Sequence, residues 1–393
     1  MRTTNPVYTG LPTSIFEVMS RLAVEHGSIN LGQGFPDVDG PEDVRRRAAE
    51  ELIVGPNQYP PMMGVPELRK AVADSNRRFY GLEVDWQREV LVTSGATEAL
   101  SDCMAALIEP GDEVVLIEPL YDCYLPLLRR AGGIPKLVRV TPPDWKLDRA
   151  ALEAAFGPKT KAIVLNNPMN PAAKVFAADE LALIGELVIR HDAIAICDEV
   201  YEHILFDGRA HIPMMTLPGM RERSVRIGSA GKTFSLTGWK VGYVTAAPEL
   251  LDPIVKAHQF TTFTTPGALQ KAVAYGLAKG DDYYAALSGD LAAKRDRFAA
   301  GLARVGFAVV PCEGTYFITA DVASLGLGDD AELCRLITVE AGVTAIPVSA
   351  FYLSDAPRSF VRFCFSKRDS VLDGALDRLS RWIARPEQAR ARN

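Results

Sequence analysis

Short apolar runs recur through the middle of the chain, over residues 89–93, 113–118, 136–140, 162–166, 193–198, 224–227 and 241–246. Several are apolar nearly throughout, the pattern of strands covered on both faces. Stretches with helical spacing lie between them, over 97–108, 147–155 and 178–191. This alternation predicts an α/β fold, with a mainly parallel seven-stranded sheet between helices.

The chain ends read differently. Ile15, Phe16, Met19, Leu22 and Ala23 fall on one helical face, and a Gly- and Pro-rich loop follows over 32–41. Beyond about residue 280 a long charged helix pattern begins near Ala285, then shorter strands near 307–311, 316–320 and 360–365. The expectation is a large domain over 46–280 and a smaller α+β domain made from both ends. In it, residues 1–45 form an N-terminal arm and part of the small domain, and 281–393 supply the rest.

Composition narrows the function classes. With 393 residues, 48% hydrophobic and 23% charged, the chain can bury a core without disulfide or metal. A net charge of −6 argues against non-specific nucleic-acid binding, and the basic cluster Arg381, Arg385, Arg390 and Arg392 reads as a solvated tail. The six cysteines form no CxxC pair and read as reduced, mostly buried thiols; the five histidines show no metal-ligand spacing, so no metal site is expected. The N-terminus lacks an apolar leader, and no apolar stretch is long enough to cross a bilayer. A cytoplasmic location follows as the default.

Four segments carry chemistry. In the first, residues 228–243, Lys232 follows a strand among small residues that let a planar group approach the backbone; a desolvated lysine there can form a Schiff base. A solvated surface lysine is the bland alternative. A nucleotide P-loop is excluded, because it needs glycine where Arg226 stands. In the second, Asp198 ends an apolar run, where open α/β sheets bind ligands; its carboxylate can pair with a pyridinium nitrogen or simply cap a helix. In the third, two prolines fix the turn at Asn167–Pro171, and Asn170 either donates into a site or only shapes that turn. In the fourth, a strand passes through Gly95 into a helix at Ala96 and Thr97, whose free N–H groups suit a phosphate or capping alone.

Together these segments resemble the class I aminotransferases of the pyridoxal 5'-phosphate (PLP) fold-type-I superfamily, from about Leu31 to Arg362. The segments 31–36, 57–59, 118–124, 228–240, 345–349 and 362–365 are most similar to the kynurenine and glutamine aminotransferase (cysteine-S-conjugate β-lyase) group. The resemblance implies that Lys232 bonds the cofactor and shuttles the proton, and that Asp198 pairs with the pyridine nitrogen. It places Tyr201 and Asn170 on the phenolic oxygen and Tyr121 against the ring. Ala96, Thr97, Ser229 and Lys240 would hold the phosphate, with Tyr59 from a neighbouring subunit of a homodimer. Arg362 would grip the substrate carboxylate, helped by backbone near Gly34.

The implied reaction moves an amino group from an L-amino acid to a 2-oxo acid by a ping-pong route. Ile15, Phe16, Tyr121 and Phe263 are expected in the pocket, which suits an aromatic, methionine-like or glutamine-like substrate. C–S β-lyase chemistry is the alternative, since the same residues can expel a Cβ leaving group. Two departures from the family pattern stand out. Ala172 and Ala173 occupy places that usually hold Thr or Ser and then Gly, and Lys240 stands where many relatives have arginine, as it does in the kynurenine-type group.

Overall fold

A computed structural model describes residues 4–385. In chain order its strands are β1 (Ile29–Asn30), β2 (Val90–Thr93), β3 (Glu113–Glu118), β4 (Ile134–Arg139), β5 (Thr160–Asn166), β6 (Ile194–Asp198), β7 (Ser224–Ser229), β8 (Gly242–Ala246), β9 (Ala308–Val309), β10 (Phe317–Asp321), β11 (Val343–Thr344), β12 (Ile346–Pro347) and β13 (Phe360–Cys364). Strands β2 to β8 form one seven-stranded sheet in the order β2-β8-β7-β6-β5-β3-β4. Only the pairs made by β8 are antiparallel, so the other six strands end at one edge and β8 begins there.

The apolar runs are continuous because alternate residues feed two separate cores. Val114 and Leu116 pack with Leu100 and Met104 of the helix Gly95–Leu107, whereas Val115 and Ile117 pack with Leu181 and Ile184 of the helix Ala178–Arg190. A period of two, covered on both faces, leaves no polar stripe.

A second core joins the two chain ends. The helix Ile15–Glu25 contributes Met19, which packs in one cluster with Phe298, Phe317, Ile346, Phe363 and Trp382. Strand β1 runs parallel to β11, and β12-β13-β10-β9 form an antiparallel sheet. Arg362 sits mid-strand in β13, opposite Thr319 and Ile346.

The seven expected strands all form, with shifted ends: 136–140 becomes Ile134–Arg139, and 307–311 shrinks to Ala308–Val309. The long charged helix starts at Asp281, four residues early, because Asp281 and Asp282 suit a helix N-terminus. Of the C-terminal basic cluster, Arg381 lies in the helix Asp369–Ile383, while Arg390 and Arg392 fall outside the described residues. All six cysteines are free and five are buried. Among the described residues no helix is long and apolar enough to cross a membrane.

Candidate active site

The shared edge of the seven-stranded sheet gathers most of the singled-out residues. Gly95 leaves β2 with φ +77° and opens the helix Gly95–Leu107, whose first N–H groups, Ala96 and Thr97 included, have no carbonyl one turn back. Tyr121 follows β3, Asn170 follows β5, Asp198 ends β6 with Tyr201 in the next turn, and Ser229 ends β7. Lys232 sits in the helical turn Ala230–Thr233, and Lys240 precedes β8. With Phe16, Gly34 and Arg362 on the far side, they line one cavity of about 360 Å³.

Two glycines let the helix start close on β8. A Cβ on Gly242 would lie 2.6 Å from the Gly95 carbonyl carbon, and one on Gly95 would lie 3.0 Å from Lys240 Nζ. The Lys240 amine therefore lies beside a helix N-terminus, which makes that corner a place for an anion.

Asp198 is buried, and its Oδ2 accepts a 2.6 Å hydrogen bond from Tyr124 Oη, while Oδ1 has no partner. Burial raises its pKa, against pulls from the Tyr124 hydroxyl, the Val200 N–H and Lys232. An unpaired buried oxygen at a cavity wall calls for a donor. Lys232 is half-buried, and its Nζ donates to Tyr316 Oη at 3.0 Å. Burial lowers its pKa to about 8; Asp198 opposes this, and Arg362 and Lys240 add to it. A large fraction of this amine is neutral near pH 8.

Arg362 is completely buried. Nη1 donates to Asn170 Oδ1 (2.8 Å) and Nη2 to the Gly32 carbonyl (2.6 Å), and Nε is unpaired. The rings of Phe317, Phe16 and Phe351 surround the guanidinium at 4.0, 5.2 and 5.4 Å. Burial brings its pKa down to about 10. Among the described residues it has no carboxylate within ion-pair distance, Asp122 feeling its charge only from farther off, so the guanidinium can take an anionic partner.

Two of the expected pocket residues, Ile15 and Phe263, lie outside this chain's cavity, as does Tyr59, which was expected to serve a neighbouring subunit. Ile15 packs on the core of the chain ends, because its side of the helix Ile15–Glu25 turns from the cavity that Phe16 faces. Tyr59 is 84% exposed and meets Phe263 edge-on at 5.6 Å, and neither lines this chain's cavity. Sequence reasoning missed Tyr124 as the partner of Asp198, Tyr316 as the partner of Lys232, and Phe317 as the ring nearest Arg362. Tyr124 stands in a segment already singled out, three residues from Tyr121. Tyr316 and Phe317 carried no signal beyond a strand pattern.

The family profile for class I and II aminotransferases matches residues 27–379. The chain is 43% identical to a probable N-succinyldiaminopimelate aminotransferase of Mycobacterium tuberculosis, across 95% of this chain and 97% of that one. A solved structure of the M. tuberculosis N-succinyldiaminopimelate aminotransferase superposes with a TM-score of 0.95 at 43% identity, covering 97% and 100% of the two chains. A methionine aminotransferase of Escherichia coli is 41% identical over 94% of this chain and 96% of its own. Kynurenine–oxoglutarate transaminase 3 of Mus musculus is 39% identical over 95% and 89%. The chain belongs to the class I and II aminotransferases, and is an amino-acid aminotransferase that depends on pyridoxal phosphate.

Proposed function

We propose that this aminotransferase takes L-amino acids with an apolar, aromatic, methionine-like or glutamine-like side chain as donors and returns the amino group to a 2-oxo acid. The observation that carries the reading is the buried, anion-less Arg362 within three phenylalanine rings. A carboxylate placed there leaves the side chain beside Phe16, Phe317 and Tyr121. Among the described residues the cations that line the cavity are Lys232, Lys240 and Arg362, and the first two are assigned to the cofactor. The names of the methionine and kynurenine relatives point the same way, and that of the N-succinyldiaminopimelate relative points to an acidic donor.

The residues fit the cofactor. Asp198 Oδ1 is free for a ring N–H, and the helix start with Ser229 and Lys240 suits the phosphate. Asn170, whose Oδ1 is held by Arg362, keeps its amide N–H groups for the phenolic oxygen beside Tyr201, and Tyr121 covers the ring. When bound, the cofactor supplies the electron sink that lets the substrate Cα proton depart. Asp198 holds the ring nitrogen protonated. Lys232 anchors the cofactor through Nζ; once freed, Nζ takes the Cα proton and returns it.

A homodimer with shared sites, in the cytoplasm, completes the proposal. Tyr59 is exposed, packs edge-on against exposed Phe263 and does not line its own cavity. Two measurements test the reading. Lys232→Ala should remove covalent cofactor retention and nearly all turnover. In a donor panel, methionine, phenylalanine, kynurenine and glutamine should exceed aspartate and N-succinyldiaminopimelate in kcat/KM; preference for either acidic donor overturns the assignment.

A further inference from the structure

Tyr316 is buried at the junction of three parts of the site. Its hydroxyl donates to the Gly34 carbonyl at 2.8 Å and receives Lys232 Nζ at 3.0 Å. A phenol has one proton and two lone pairs. That proton goes to the Gly34 carbonyl, which can only accept, with the Tyr201 hydroxyl as a second claimant; either way the hydroxyl acts as acceptor toward Lys232. The amine must therefore turn an N–H toward Tyr316.

The contact gives Nζ a fixed acceptor within hydrogen-bond reach at the cavity. We propose that Tyr316 is a positioning residue that receives the freed Lys232 amine and, being locked as an acceptor by Gly34, leaves the nitrogen lone pair free to take the substrate Cα proton. A donor at this place would instead occupy that lone pair and disarm the base. The proposal rests on the assignment of Lys232 as the cofactor lysine.

The surroundings leave this task to Tyr316. Asp198 and Tyr201 face Lys232 from β6 and its following turn, Arg362 and Cys364 from β13, and Lys240 from the segment before β8. Tyr201 presents its ring, 5.5 Å from Nζ. Arg362 and Lys240 can only repel a cationic amine; Asp198 attracts it by charge, but makes no hydrogen bond to Nζ.

The test is Tyr316→Phe, which removes one oxygen. In apoprotein, competitive labelling of Lys232 with acetic anhydride across pH, read by peptide mass spectrometry, gives the amine pKa. It should fall by roughly one unit, because a hydrogen bond to an ammonium is about twice as strong as one to a neutral amine. In holoenzyme, the single-turnover rate with methionine should drop, by no more than the roughly 10²- to 10⁴-fold that a positioned proton-transfer group contributes. The deuterium isotope effect at Cα should rise, with cofactor affinity unchanged. An unaltered labelling pKa and isotope effect overturn the proposal. If the phenylalanine variant does not fold, 3-fluorotyrosine at position 316 keeps the hydroxyl but weakens it as an acceptor, and the pKa should shift in the same direction. Borohydride reduction of wild-type holoenzyme separates the two claims: a label absent from Lys232 sinks the cofactor assignment, while a label on Lys232 with no effect of either variant sinks Tyr316 alone.

Discussion

Replacing Arg362 by glutamine separates what the guanidinium does for the substrate from what it does for the fold. In the unliganded site the cation is already disfavoured. Its pKa falls from the ordinary 12.5 to about 10, which corresponds to about 3 kcal/mol of lost preference for the charged form. Glutamine relieves that cost but weakens two hydrogen bonds, to Asn170 and to the Gly32 carbonyl, worth about 1.5–3 kcal/mol each. The terms nearly cancel, so the melting temperature of the apoprotein should move only a few degrees. The substrate has no such compensation. Removing one partner of a buried charge pair costs about 3–5 kcal/mol, so kcat/KM for methionine should fall between about 10² and several thousand-fold. The control is 3-(methylthio)propylamine, which has the side chain and amine but no carboxylate. Single-turnover absorbance of the bound cofactor measures both. Wild type should discriminate between the two by the same factor that the variant loses, and the variant should hardly discriminate. A loss below tenfold, or an equal loss for the amine, refutes the carboxylate-clamp reasoning.

Three further outcomes follow from the geometry. Gly242→Ala drives a methyl to 2.6 Å from backbone and should displace the start of the helix Gly95–Leu107, weakening cofactor retention at least tenfold in equilibrium dialysis; unchanged affinity would remove that helix start from the phosphate site. Asp102 is fully buried with His258 Nδ1 3.8 Å from Oδ2, and burial with Glu98 nearby raises its pKa to about 7, against His258. The folded state then keeps a proton that the unfolded chain loses above its ordinary 3.8, so this contribution, on the order of 4 kcal/mol at most, declines as pH rises toward 7. Asp102→Asn should therefore gain melting temperature relative to wild type between pH 5 and pH 8, by roughly 2–5 °C, and a pH-independent difference in scanning calorimetry would contradict it. Ala173 holds φ +57°, in the left-handed region that favours glycine. Ala173→Gly relieves about 1–2 kcal/mol of backbone strain but gives up a buried methyl and chain entropy worth about as much, so denaturant midpoints should stay within about 1 kcal/mol of wild type, whereas Ala173→Val should lose more than about 2 kcal/mol.

Asp198, Lys232, Asn170 and Gly95 were legible because each ends or closely follows an apolar run, and a parallel sheet sends such ends to one edge whatever the sequence between them. Arg362 was legible as a cation inside an apolar strand. Phe16 and Ile15 looked equivalent, being neighbours in the sequence; the angle of 100° between successive helical residues sends only Phe16 to the cavity. Phe263 looked like a pocket residue, but it meets Tyr59 at the surface.

The metal-ligand pattern shows the same limit. The histidines appeared scattered, yet Glu98 and Asp102, one helical turn apart, meet His258 from a helix 156 residues later, with all three ligand atoms within 4.8 Å. Local periodicity determined the sheet, its covering helices and the strand ends where chemistry gathers, since those depend on residues a few positions apart. Tertiary packing alone decided the hydrogen-bond partners: Tyr124 on Asp198, Tyr316 between Lys232 and Gly34, and the phenylalanine rings around Arg362. A hydrogen bond needs approach to about 3 Å, and no spacing along a chain reports a distance set by where separate elements come to rest.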